Sequence, residues 1–239
     1  NAGAWSTYTY SVTANTAADV VYYVNGTTGN DTTGDGTSGT PWATIGKAAT
    51  EMGTALLASE VGVVLVAGGS TYTETATVWA GGDTTARLVR FVWDGTSTKP
   101  TLLITSGDTC FTVGKRGSIH CENIDLDGDN VGDVSVAALD FSRTGGTPAN
   151  RSPYNSFLFG CDISNFGYGV AGEDTLPASD RDEGCFDFIA LDNVSFNNLR
   201  GYALFGWDTA DKWLWRQVTF NAHSTAYNNP ARVMNLGRG

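Results

Sequence analysis

The residues of this chain best spaced for chemistry are the carboxylates of Asp125-Leu-Asp127-Gly-Asp129-Asn-Val-Gly-Asp133. Oxygen ligands at alternate positions are what a hard cation such as Ca2+ takes. The spacing departs from an EF-hand, because Asn130 stands where the sharp turn needs glycine and Val136 where a bidentate Glu should be. Asp125, Asp127, Asp129 and Asp133 therefore read either as a calcium site or as a polar turn leaving a strand, and the loop around Asn30, Asp31 and Asp35 carries the same two readings. Near the other end, Arg200, His223 and Arg232 lie close in sequence to Trp207, Trp213, Trp215 and Tyr227. β-Elimination on a uronate polymer needs a base such as Arg or Lys and a cation beside the carboxylate. Flat rings beside charged groups suit sugars, so the three basic residues are candidate catalytic groups and the four aromatics candidate glycan contacts. Trp213 and Trp215 alternate around Leu214, however, which makes core filling the competing role for part of the set.

Other constellations are weaker. Glycoside hydrolysis needs two carboxylates a few ångströms apart; Asp180-Arg181-Asp182-Glu183 supplies them only as a clustered charge run, which is solvated by default. His120, beside Cys121, lacks the paired spacing of a zinc site. Cys110, Cys121, Cys161 and Cys185 allow two disulfides in three full pairings, or buried free thiols. The N-x-S/T sequons at Asn25, Asn30, Asn150 and Asn193 are expected by chance in so Thr-rich a chain. There is no nucleophile elbow, P-loop or dinucleotide fingerprint.

The elements that must position these groups are mostly β. Of 239 residues, 41% are hydrophobic and 16% charged, Gly and Thr are abundant and strong helix formers scarce. Fourteen Lys plus Arg against 25 Asp plus Glu leave a net charge of -11 and a pI near 4.4. Such a surface repels phosphate, which argues against nucleic acid and anionic membranes as partners. No run of 18 apolar residues predicts a spanning helix. The start at Asn1, without Met or a signal-like run, predicts a processed product or an excised piece. Tyr8, Tyr10 and Val12 alternate with Thr and Ser, so residues 1–20 read as an N-terminal extension carrying one strand. A turn-rich loop over residues 25–41 precedes one helix, whose face is Ile45, Ala48, Ala49, Met52 and Leu56. Strand runs follow at Val61 to Val66, Thr71 to Trp79, Leu88 to Trp93 and Thr101 to Ile104.

From Cys110 onward the segments superimpose. One row of apolar strands begins at Cys110, Ala138, Tyr168, Tyr202 and Ala231, at steps of about 30 residues. A second row falls between them: Asn123-Ile-Asp-Leu126, Gly160-Cys-Asp-Ile163, Asn193-Val-Ser-Phe196 and Gln217-Val-Thr-Phe220, apolar at the second and fourth positions. Two interleaved rows at one period predict a solenoid of stacked turns. A β-sandwich with fortuitously regular strands is the alternative, opposed by the near-absence of two-residue hairpin signals.

Together with these rows, Val21-Tyr-Tyr-Val-Asn25, Gly29-Asn-Asp31, Asp35-Gly36, Thr40-Pro-Trp-Ala-Thr-Ile-Gly-Lys-Ala48 and Val61-Gly-Val-Val-Leu-Val-Ala-Gly-Gly69 followed by Thr71-Tyr-Thr-Glu74 resemble the opening of right-handed parallel β-helix proteins of the pectin-lyase-like superfamily. The resemblance runs from about Val21 to the end. It implies an all-β, right-handed, single-stranded parallel β-helix over residues 21–239, with an N-terminal capping helix and an uncapped C-terminal end. It is nearly silent on activity, since the superfamily spans polysaccharide lyases, epimerases, glycoside hydrolases, phage tailspikes and surface proteins without chemistry. The expectation is an extracellular structural or surface module, a filament, cell-surface or virion-appendage subunit, with glycan binding as a candidate role. Its expected partners are copies of itself, head to tail or lateral, or a longer parent chain. The Trp5 to Val12 strand is a candidate cap in trans. The alternative is a carbohydrate-active enzyme acting on an acidic polysaccharide.

Overall fold

The computed structural model describes residues 20–57, 60–75, 78–79, 87–105, 108–113, 117–129, 136–141, 156–172, 188–206, 212–221 and 232–236. The strand expected between Trp5 and Val12 lies outside them. The described strands form three sheets, and every strand pair in them is parallel. In chain order, β1 (Val20–Val24), β2 (Val61–Val66), β5 (Arg87–Trp93), β8 (Gly117–Glu122), β11 (Ser156–Phe159), β14 (Phe188–Asp192) and β17 (Lys212–Arg216) make the first sheet. The second contains β3 (Thr71–Glu74), β6 (Thr101–Ile104), β9 (Asp125–Asp127), β12 (Asp162–Ser164), β15 (Ser195–Asn197) and β18 (Thr219–Phe220). The third contains β4 (Val78–Trp79), β7 (Phe111–Thr112), β10 (Ala137–Asp140), β13 (Tyr168–Gly172), β16 (Tyr202–Gly206) and β19 (Arg232–Leu236). β1 pairs with β2, and every later pair joins strands three places apart in the chain, an order compatible with a chain coiled into stacked turns of three strands, a parallel β-solenoid. The two rows read from the sequence are the third and second sheets. The run from Thr71 to Trp79 is divided between these two sheets, as β3 and β4.

Strand alternation fills the interior. The second and fourth positions of the row-two segments, Ile124 with Leu126, Cys161 with Ile163 and Val194 with Phe196, are all buried. Across the walls Phe91 meets Phe111 at 4.9 Å, and Phe196 stacks on Phe220 at 5.5 Å. Helix α1 (Ile45–Ala55) buries Ile45, Ala48, Ala49 and Met52 against β1, β2, β3 and β4, so it lies across the first complete turn of all three sheets. The Thr44 hydroxyl accepts the Lys47 N–H at 3.1 Å as N-cap, and Asp31 Oδ1 accepts the N–H groups of Ala43 at 2.8 Å and Thr44 at 3.1 Å.

The corner from the first sheet to the second is made by residues in the left-handed region: Asn123 (φ 56), Gly160 (φ 65), Asn193 (φ 52) and Gln217 (φ 53). That conformation is easiest for Gly and tolerated by Asn. The ladder runs on through the corner, Asn123 N–H donating to Phe159 C=O at 2.7 Å and Asn193 N–H to Arg216 C=O at 2.9 Å. The corner residues therefore bring the same position of each turn into one column.

Candidate functional site

The outer face of the second sheet carries such a column. With Leu126, Ile163 and Phe196 directed inward, the residues just before them point out. Register pairs Thr101 with Asp125, Asp162 with Ser195, and Ser195 with Thr219, and the Ile163–Leu126 pair sets Asp162 beside Asp125. Two carboxylates on adjacent strands repel, and Lys99 answers both: its Nζ lies 2.5 Å from Asp125 Oδ1 and 3.1 Å from Asp162 Oδ2, and donates to Gly160 C=O at 3.1 Å. Asp125 Oδ1 also accepts the Asp162 N–H at 2.9 Å, while the Ser195 hydroxyl donates to Asp162 Oδ1. A parallel column of amides runs alongside, Asn165 donating to Asp127 Oδ1 at 2.8 Å and Asn198 to Asn165 Oδ1 at 2.6 Å. Beside the carboxylate pair lies an open cleft of about 230 Å³, lined by Lys99, Asp162, Asn193, Ser195, Gln217 and Thr219 among others.

The two carboxyl groups are pushed in opposite directions. Burial raises the pKa of Asp125 despite the opposing Lys99 contact. Burial also acts to raise Asp162, but the hydrogen bonds from Ser195 and Lys99 and the lysine charge outweigh it and leave it below its ordinary value. For Lys99, burial acts downward, and the hydrogen bonds and charges of Asp125 and Asp162 reverse this to a net rise. With all three groups ionised, the cluster faces the cleft with one surplus negative charge and with hydroxyl and amide groups that can both donate and accept.

Of the four residues expected to hold Ca2+, Asp125 is thus occupied by Lys99, and Asp127 by Asn165 and the Asp129 N–H at 2.9 Å. Asp129 is an exposed turn residue at φ 53, and Asp133 lies outside the described residues. Among the described residues no three His, Cys, Asp or Glu side chains gather around a point that could hold a metal ion. In the Gly/Asp loop, Asn30 Oδ1 accepts the N–H groups of Thr32 and Thr33, Asp31 accepts the hydroxyl of Thr44, the N-cap of α1, and Asp35 accepts from Thr37 and Thr40. The Thr40 hydroxyl first, then Thr37, holds the Asp35 carboxyl down at about 2.

Arg200 is half-buried, its N–H donating to Phe166 C=O at 2.9 Å; Arg232 is the register partner of Tyr202 in β19; His223 lies outside the described residues. Trp213 and Trp215 pair with Ile189 and Leu191 in the first sheet, and the Trp215 ring, 38% exposed, stands edge-on to Phe220 at 6.4 Å. Trp207, Tyr227 and the run from Asp180 to Glu183 lie outside the described residues. The His120 ring meets Phe157 edge-on at 5.8 Å on the first sheet. Cys110, Cys121 and Cys161 are buried free thiols, and Cys185 is outside the described residues.

The cluster that does form, Lys99 with Asp125, Asp162 and Ser195, is not contiguous in the sequence and does not stand out there as a unit. Its signal is the third position of the row-two segments, which reads Asp125, Asp162, Ser195 and Thr219. Lys99 precedes that row and has no counterpart in it. Among the described residues no helix is long and apolar enough to cross a membrane. Comparison with protein-family models, with curated proteins and with solved structures finds no match to this chain.

Proposed function

We propose that the chain is a right-handed parallel β-helix of the pectin-lyase-like kind, serving as an extracellular, cell-surface or virion-appendage module that binds a neutral glycan along the polar column of its second sheet. The parallel pairing supports the right-handed reading, because crossovers between parallel strands of one sheet are right-handed in about 98% of cases. The observation that carries the binding reading is the cleft lined by Asp162, Asn193, Ser195, Gln217 and Thr219. It repeats hydrogen-bonding side chains from turn to turn at the strand spacing of about 4.8 Å, which suits an extended, hydroxyl-bearing polymer. A surplus negative charge at the cleft and -11 on the chain disfavour uronates and sulfated glycans. The test is calorimetry against neutral and acidic oligosaccharides with the wild type and with Ser195→Ala/Thr219→Ala. Binding of a neutral oligosaccharide, weakened about tenfold by loss of roughly 1.4 kcal/mol in the double variant, is the expected outcome. No binding across the panel, or binding indifferent to both substitutions, overturns the reading.

One observation favours a second reading, glycoside hydrolysis at the same place: Asp125 and Asp162 sit on adjacent strands, with their pKa values driven apart. That reading requires new reducing ends from the wild type and none from Asp162→Asn.

A further inference from the structure

Cys121 is in β8, on the first sheet of one turn, and Cys161 stands just past the corner that follows β11, in the next turn. The ladder fixes their backbones: Leu158, three residues before Cys161, is the register partner of Cys121. Both side chains enter the core, Cys121 0% and Cys161 1% exposed, and their sulfur atoms meet there at 3.9 Å. The Cys161 Sγ also lies 3.4 Å from the Cys121 carbonyl oxygen on β8, so it is directed at the strand that bears its neighbour, and 3.3 Å from the Phe159 carbonyl oxygen of its own turn. Burial as a small apolar side chain accounts for a cysteine in the core. It does not call for two of them, 40 residues apart, in sulfur-to-sulfur contact across a turn boundary.

We propose that Cys121 and Cys161 form a disulfide when the chain folds in an oxidising environment, cross-linking two successive turns inside the core. A bond of about 2.05 Å requires the sulfurs to close from contact by side-chain rotation. The oxidant is a small-molecule disulfide such as oxidised glutathione. One cysteine thiolate attacks it, forming a mixed disulfide and releasing one glutathione. The second thiolate then attacks the protein sulfur of the mixed disulfide and expels the other. Two thiols and one glutathione disulfide thus become one protein disulfide and two glutathione thiols, which carry away both thiol protons and both electrons. Because both sulfurs are sealed from solvent once the turns have stacked, the exchange takes place while the turns are still open, and the finished bond is shielded from reductant.

The 239-residue chain is folded with mixed reduced and oxidised glutathione, then denatured in the presence of an alkylating agent, and its intact mass is measured. Trypsin cutting after Lys115, Arg116, Arg143, Arg151, Arg181 and Arg200 separates the four cysteines into four peptides. The expected result is a chain that takes up two alkyl groups instead of four and is otherwise two hydrogens lighter than the reduced chain, with a linked pair joining the Cys121 and Cys161 peptides, kept in Cys110→Ala and lost in Cys161→Ala. Four alkylated thiols in the wild type, or a linked pair that joins either residue to Cys110 or Cys185 instead, overturns the proposal.

Discussion

Gly160 offers a sharp test of the corner that aligns the turns. It is the one glycine among four equivalent corner residues, at φ 65, and a Cβ built on it would overlap Asn123 Oδ1 of the preceding turn. Gly160→Ala therefore incurs two separable costs. Holding a side-chain-bearing residue in the left-handed region costs about 1–2 kcal/mol. Turning the Asn123 amide out of its rotamer costs about 0.5–1.5 kcal/mol more. The single substitution is expected to lower stability by about 2–3 kcal/mol, read as a fall in the urea midpoint followed by tryptophan fluorescence and by circular dichroism. In an Asn123→Gly background the overlap is gone, and only the backbone cost of about 1–2 kcal/mol remains. The double-mutant cycle should thus show a coupling of about 1 kcal/mol, beyond the 0.3–0.5 kcal/mol within which independent sites add. Strict additivity, or a Gly160→Ala variant as stable as the wild type, would show that turn-to-turn crowding at the corner is not what excludes a side chain there.

Lys99→Met removes the cation between Asp125 and Asp162 and should cost about 1–2 kcal/mol near neutral pH, an allowance being made for solvent screening at Asp162, which is 54% exposed. Since the folded pKa of Lys99 is raised, its contribution is complete below the unfolded value near 10.5 and is lost as pH rises through the folded value; the lowered Asp162 contributes above 3.8 and loses its share as pH falls. The gap between wild type and variant should accordingly narrow in both alkali and acid, and a gap that stays constant from pH 7 to 11 contradicts the pairing. Thr44→Ala removes the N-cap of α1 and one Asp31 contact and should cost about 0.5–2 kcal/mol in thermal or urea unfolding, with Thr44→Ser nearly neutral. Phe91→Ala empties a fully buried position against Phe111 and should cost about 3–5 kcal/mol; a loss under 1 kcal/mol would mean the walls can close over the cavity.

The helix and two of the three sheets are legible in the sequence because their inward positions repeat. Ile45, Ala48, Ala49 and Met52 keep helical spacing, and Leu126, Ile163, Phe196 and Phe220 hold one place in four successive turns. The first sheet is harder to see as a row. At one register its outward residues run Arg90, His120, Phe157, Ala190 and Leu214, so neither charge nor apolarity recurs, although Phe91, Cys121, Leu158 and Leu191 line up behind them. The carboxylate cluster escaped for a different reason. Reading Asp125 with Asp127, Asp129 and Asp133 follows the chain, whereas its actual companions, Lys99 and Asp162, are neighbours only through the stacking of turns. Proximity along the chain misleads where each strand's partners are a full turn away.

The edge that one turn presents in all three sheets is of the same kind as the edge it receives, because each strand pairs parallel with its counterparts in the turns before and after it. Inheritance can act on that equivalence. Loss or duplication of one whole turn, from a strand such as β8 to the residue before β11, leaves matching edges face to face and every inward residue inward. Loss of half a turn sets first-sheet strands against second-sheet strands, and a slip of one residue exposes the core side of a strand. The architecture therefore permits change of length in whole-turn steps, and a gene encoding it varies most safely by insertion and deletion of segments one turn long.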